Sequence, residues 1–169
     1  NNKKVNIRSP KDAILSGIGM VHQHFMLVQN HTVCENILLG YKQAPFFYPQ
    51  KKFKNKIQEY SEKFNLHINP DAKIWQLSAG EQQRVEILKA LIRNIKLLIL
   101  DEPTSVLTPN ETSDLFKTIK NLVQSGLGVI FISHKLDEVF AISDKITVLR
   151  NGQVVGSVVP ENTSKNELA

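Results

Sequence analysis

Apolar positions along the chain follow two periods, and the punctuation between them divides it into elements. Ser9-Pro10-Lys11-Asp12 sets a capping hydroxyl, a first-turn proline and an acid ahead of Gly17, which predicts a short helix. The run 18–21 reads as a strand, and Thr32-Val33-Cys34-Glu35 is a capping box opening a helix through Leu39, closed by Gly40. From Ser78 onward strands and helices alternate. Ser78-Ala79-Gly80-Glu81 caps a helix over about 80–93 with Val85, Leu88, Leu91 and Ile92 on one side. Residues 97–100 are apolar throughout, as a central parallel strand covered on both faces should be. Thr108-Pro109-Asn110-Glu111 caps a helix carrying Leu115, Ile119 and Leu122 as far as Gly126, and 129–132 is a second buried strand. A helix near 136–142 follows, and Asn151-Gly152 is a type I′ turn between strands 146–149 and 153–155. Apolar strands joined by helices give an α/β class with a mostly parallel sheet and flanking helices, the closing hairpin capping its edge.

Between 43 and 76 the texture changes. Pro45-Phe46-Phe47-Tyr48-Pro49 and Asn69-Pro70-Asp71 break the chain on either side of Phe53, Ile57, Tyr60 and Phe64, whose spacing marks one face of a helix. This stretch reads as a helical insert in an otherwise α/β chain. No internal repeat or low-complexity segment is present.

The 169 residues are 41% hydrophobic and 22% charged, which fits a globular domain and excludes a disordered chain or a coiled-coil rod. Runs such as Val129-Ile130-Phe131-Ile132 fall far short of the roughly 18 apolar residues of a membrane span. The start, Asn1-Asn2-Lys3-Lys4, has no initiator methionine and no apolar signal core, so it is expected to be a cut through a longer chain. Cys34 is the single cysteine and is expected to be a passive thiol in a reducing compartment. The charge of +5 is local: eleven Lys/Arg face five Asp/Glu up to Lys73, and ten face eleven beyond it. Its densest part, Lys51-Lys52-Phe53-Lys54-Asn55-Lys56, is the solvated face of the basic helix, and no nucleic-acid partner is expected.

Candidate chemistry gathers where parallel strands end. Asp101-Glu102 follows strand 97–100, His134 follows 129–132 after Ser133, and Gln23 follows 18–21 after His22. Adjacent carboxylates point different ways, so one can reach a Mg²⁺ shell while the other faces a water. An imidazole can bond a phosphate oxygen, and a side-chain amide can ligate a metal. The helix start at Ser78 and Gly80 offers a hydroxyl, backbone N–H groups and a positive dipole end to an anion.

Leu77-Ser78-Ala79-Gly80-Glu81-Gln82-Gln83-Arg84, then Leu97-Leu98-Ile99-Leu100-Asp101-Glu102-Pro103-Thr104, then Ile132-Ser133-His134 resemble the signature motif, Walker B strand and switch histidine of ABC transporter ATP-binding subunits. His22-Gln23 resembles the Q-loop, and Gly19 to Val28 with Gly80 to Leu88 look like the importers of nucleosides and simple sugars, in their first ATPase half. The resemblance covers nearly the whole chain. It implies a P-loop NTPase-type fold, with core segments at 1–42 and 95–169 and a helical subdomain at 43–76 continuing into the signature helix to about 94.

Two departures stand out. The phosphate-binding loop G-x-x-x-x-G-K-[ST] is absent from these residues; in the family it lies upstream of where this chain starts, so truncation is the expected reason. Without that loop the chain alone is expected to be inactive. In the D-loop, Ser105-Val106-Leu107-Thr108, threonine stands where most members have aspartate. The resemblance implies ATP and Mg²⁺ as cofactors, Glu102 as general base, His134 on the γ-phosphate, and Asp101 and Gln23 at the metal. Ser78, Gly80 and Glu81 are implied to bind the nucleotide of a second ATPase half. The implied setting is the cytoplasmic face of a membrane, peripheral, beside transmembrane permease subunits and, indirectly, an extracytoplasmic solute receptor. A non-transport ABC ATPase, or a half that binds nucleotide without cleaving it, shares most of these motifs.

Overall fold

The computed structural model describes residues 5–39, 41 and 50–168. The expected stop at Gly40, the break at Pro45 to Pro49 and the start of the insert at Gln43 lie outside them. Three strands form the sheet that carries the candidate chemistry. β1 (Ile18–Val21), β2 (Leu97–Asp101) and β3 (Gly128–Ile132) run parallel in the order β1-β2-β3, with Val21 beside Leu100 and Asp101 beside Ile132. Their carboxyl ends therefore open on one edge.

The helices begin where the caps predict. Ser9 accepts the Asp12 N–H at the head of α1 (Pro10–Leu15), and reciprocal capping boxes open α2 (Val33–Leu38) at Thr32, α4 (Ala79–Leu91) at Ser78 and α5 (Pro109–Gln124) at Thr108. Between them α3 (Gln50–Lys63) buries Phe53 and Ile57 and leaves Lys51 and Lys52 exposed, so the basic helix is amphipathic as expected. It packs on α2 and α4, and its two apolar anchors join Leu66, Ile68 and Ile74 in the core. The main core lies under one sheet face, where Val21, Leu98 and Leu100 meet Val85 and Leu88 of α4 and Leu115, Ile119 and Leu122 of α5.

The opposite face overturns one expectation. By alternation it presents Met20, Ile99, Ile130 and Ile132, and Met20, Ile130 and Ile132 are 42%, 46% and 43% exposed. β2 is central as predicted, but only its Leu98 and Leu100 row is fully buried, and no residue of β3 is, because α4 and α5 both cover the same face of the sheet. The closing hairpin departs from expectation too. Among the described residues, β4 (Ile146–Arg150) and β5 (Gln153–Val158) pair only with each other and form a separate two-stranded sheet rather than capping the edge of the first. Its turn is as predicted: Asn151 and Gly152 both have positive φ, 51° and 74°. Ile146 is its buried anchor, and Leu149, Val154 and Val155 remain exposed. α6 (Leu136–Ile142) connects β3 to the hairpin, and α7 (Lys165–Leu168) follows it.

Candidate functional site

The common edge of the three strands brings together residues far apart in sequence. Glu102 stands between two partners: His134 Nδ1 lies 3.0 Å from its Oε1, and Gln23 donates from Nε2 to its Oε2 at 3.4 Å. The backbone at Glu102 has φ +43°, a left-handed conformation uncommon outside glycine, and its N–H donates to the Ile132 carbonyl at 2.9 Å. That turn takes the side chain out of the strand's alternation and aims it between β1 and β3. Asp101 is the last residue of β2 and, by the strand's alternation, falls on the open face of the sheet.

Behind this edge lies a polar cluster that the sequence patterns do not reveal. Glu138, in the first turn of α6, accepts from Thr104 Oγ1 at 2.6 Å and from Ser133 Oγ at 3.2 Å, while Lys135 Nζ sits 3.1 Å from its other oxygen. Lys135 Nζ also reaches the Thr104 carbonyl at 3.4 Å. The stretch after Gln23 is fastened to the helices: the Met26 N–H donates to buried Glu86 at 2.9 Å, Lys89 Nζ to the Met26 carbonyl at 3.4 Å, and the Val28 N–H to Asn36 at 2.7 Å. Met26 and Val28 themselves are exposed.

A second constellation forms the start of α4. Ser78 Oγ accepts the Glu81 N–H at 3.3 Å, and the Glu81 carboxylate accepts the Ser78 N–H at 2.8 Å, so both side chains serve the cap. The Gly80 N–H, expected to be open to an anion, donates to Glu111 Oε1 at 3.0 Å. Glu111 also accepts from the Thr108 backbone and hydroxyl, each at 3.0 Å. The Thr108 and Gly80 N–H groups, with the Thr108 and Ser78 hydroxyls, hold its carboxyl down at about 2. A Cβ on residue 80 would stand 2.9 Å from the Glu111 Cγ and Oε1, so a larger residue there would push the Glu111 side chain aside. Ser105 closes the turn after β2 by donating its N–H to the Glu102 carbonyl, and Thr108 is consumed in capping α5. Among the described residues no side-chain hydrogen bond joins Ser78, Gly80, Glu81 or Glu111 to Gln23, Glu102 or His134.

Among the described residues no cluster of three or more His, Cys, Asp and Glu side chains forms a metal cage. Mg²⁺ bound to a nucleotide needs less, because one or two protein oxygens suffice beside phosphate oxygens and water. Asp101 and the carbonyl oxygen of Gln23, both at the strand-end edge, fit that requirement. Cys34 is buried, and desolvation pushes its thiol up, in keeping with a passive role. No described helix is long and apolar enough to cross a membrane.

The profile of the ABC transporter family matches residues 1–105, more than half of the sequence. The chain belongs to the ABC transporter family. This ABC transporter chain is 49% identical to the nucleoside import ATP-binding protein NupA of Lactococcus lactis subsp. cremoris, over 99% of its own length and 33% of that protein. It is 43% identical to the glucose import ATP-binding protein TsgD13 of Haloferax volcanii (98% and 36%), and 46% identical to the guanosine import ATP-binding protein NupO of Bacillus subtilis (99% and 33%). It thus spans about a third of the length of these curated relatives. The ADP conformation of MJ1267, an ATP-binding cassette of an ABC transporter, superposes with a TM-score of 0.77 at 28% identity, covering 94% of this chain and 66% of that one. The α/β architecture with its parallel sheet is therefore that of an ABC ATPase cassette.

Proposed function

We propose that this ABC transporter chain is part of an ATP-hydrolysing subunit that powers the import of nucleosides or simple sugars. The observation that carries the reading is the Glu102 carboxylate held between His134 and Gln23 at the carboxyl ends of three parallel strands. A carboxylate so placed can take the proton of a water aimed at a γ-phosphate, while the imidazole bonds a phosphate oxygen. Asp101 and Gln23 would hold Mg²⁺, which when bound neutralises charge on the transferring phosphoryl group. Residues 1–169 carry no G-x-x-x-x-G-K-[ST] loop, and by themselves they bind ATP weakly and turn none over. In the domain reading, 1–42 and 95–169 form the ATPase core, and 43–76 with the signature helix form the helical subdomain.

Ser78, Gly80 and Glu81 would receive the nucleotide of a second ATPase half when the two close. For Gly80 to donate to a phosphate, Glu111 must first release its N–H, so closure includes the outward swing of one carboxylate. Ser105 and Thr108 would face the other half. Exposed Met26 and Val28, fastened to α4 and α2, supply the surface for transmembrane permease subunits at the cytoplasmic face of a membrane, with an extracytoplasmic solute receptor upstream. The import substrates come from the names of the relatives NupA, TsgD13 and NupO. The reading is tested by reconstituting the full-length subunit with its permease and measuring ATP turnover as nucleosides and sugars are supplied. Stimulated turnover that Glu102→Gln abolishes supports it, and Asp101→Asn should weaken Mg-ATP binding as well as rate. Turnover indifferent to both substitutions overturns it.

A further inference from the structure

We infer that Glu138 is a positioning residue for the Glu102–His134 pair, tying the loop after β2 to the loop after β3 from behind. This inference rests on the reading of Glu102 as the general base. Glu102 and His134 belong to different loops, and their direct contact lies at the surface: the side chains are 30% and 70% exposed. A side-chain contact in that setting is too weakly stabilising to hold two loops in register. The left-handed backbone at Glu102 adds to the problem, because a non-glycine residue stays in that region only where its surroundings over-determine it.

Beyond the backbone bond from the Glu102 N–H to the Ile132 carbonyl, Glu138 supplies a side-chain constraint. Thr104, buried and two residues beyond Glu102, donates to Glu138 Oε2 at 2.6 Å across 34 residues of sequence. Ser133, the neighbour of His134, donates to the same oxygen at 3.2 Å, and Lys135, on its other side, pairs with Oε1 at 3.1 Å. Each loop is thus held within two residues of its reactive side chain by a charged acceptor, the stronger kind of hydrogen bond. Lys135 closes the cluster by reaching the Thr104 carbonyl at 3.4 Å, and the Glu102 N–H reaches the Ile132 carbonyl at 2.9 Å, so without Glu138 the two loops are still bridged by one longer side-chain contact and one backbone bond, neither of which fixes a side chain. An acid at position 138 would serve the N-terminus of α6 with contacts inside its own loop alone. The bond to Thr104 is the one that such a local role does not need.

The consequence is a division of labour: Glu102 and His134 act on the nucleotide, and Glu138 fixes the distance between them. Misplacing a reacting group by about an ångström costs on the order of 100-fold in rate, without a matching loss of ground-state binding. The test uses the full-length subunit assembled with its permease, measuring Mg-ATP affinity and single-turnover cleavage per bound nucleotide. Thr104→Val and Glu138→Ala should each slow cleavage about 10- to 100-fold with affinity held within about threefold, Glu138→Gln should fall between, and Thr104→Ser should restore the wild-type rate. Normalising to bound nucleotide removes any loss of folded protein, and the Ser/Val pair at 104 isolates the hydroxyl from the packing. Glu102→Gln run in parallel separates the two ideas. If it is inert while Thr104→Val and Glu138→Ala cleave at the wild-type rate, the positioning role is wrong and the general base stands. If Glu102→Gln cleaves like wild type, the general-base reading falls and the positioning role falls with it. Equal losses in Thr104→Ser and Thr104→Val also overturn the role, because the hydroxyl bond would then be irrelevant.

Discussion

The strand-end cluster and the start of α4 are built by opposite means. Gln23, Glu102 and His134 come from three segments and meet only because β1, β2 and β3 are in register; the spans between partners are 79 and 32 residues. Ser78 and Glu81 satisfy each other within one turn of helix, and Thr108 and Glu111 do the same at the next helix. The first site depends on the whole sheet, and the second is a local device whose long-range contacts run from Gly80 and Ser78 to Glu111. Geometry assembled from afar suits a reaction that needs a distance held constant. A locally capped helix start suits a surface that must let one anion go and take up another.

Substitutions can break that contrast, starting with the largest effect. Glu102→Gln retains shape and hydrogen-bond reach but cannot accept the proton of water, so single-turnover cleavage in the full-length subunit should drop by about 10²–10⁴ while bound ATP is retained. Next comes Leu98→Ala, three residues before Asp101 in the fully buried row of β2. It should lower unfolding free energy by about 2–5 kcal/mol in denaturant titration, and it should disturb the strand-end cluster more than the α4 cap. Ser78→Ala removes a cap worth about 0.5–2 kcal/mol. Amide exchange should accelerate in the first turn of α4 and stay unchanged around His134; equal acceleration at both places would mean that the two sites are one cooperative unit.

The smallest effect is a pH dependence. Glu111 titrates at about 2 in the folded chain against 4.5 for an unperturbed glutamate. Its contribution is therefore fully present above 4.5 and is lost as pH falls from there toward 2. Melting temperatures followed across that window should fall more steeply for wild type than for Glu111→Gln, with the two curves parallel above it. Parallel curves throughout would show that Glu111 does not hold the Gly80 N–H in solution.

What could be read in advance follows the same division. Caps, turns and strand positions were legible because each is written in four or five adjacent residues: Ser9, Thr32, Ser78 and Thr108 all cap as expected, and Asn151-Gly152 turns as expected. The convergence of Gln23, Glu102 and His134 was legible because parallel strands share a carboxyl edge. Glu138, Glu86 and the second contact of Glu111 were not, since a surface acid on a helix has the same local pattern whether it faces water or a residue 30 to 60 positions away. The hairpin and the open face of the sheet were misjudged for a related reason. An apolar strand shows that it wants burial on both sides, and the pattern says nothing about which layer supplies it.

That open face has a practical consequence. Met20, Ile130 and Ile132 form an apolar strip across a three-stranded sheet, next to the strand edges of β1 and β3. Bare strand edges beside exposed β-branched residues are templates for pairing between molecules. In a preparation of these 169 residues alone, solubility and apparent melting temperature should therefore fall as concentration rises. Replacing Ile130 with lysine, at a position that supports none of the polar contacts described above, is the simplest way to make such material behave as a monomer.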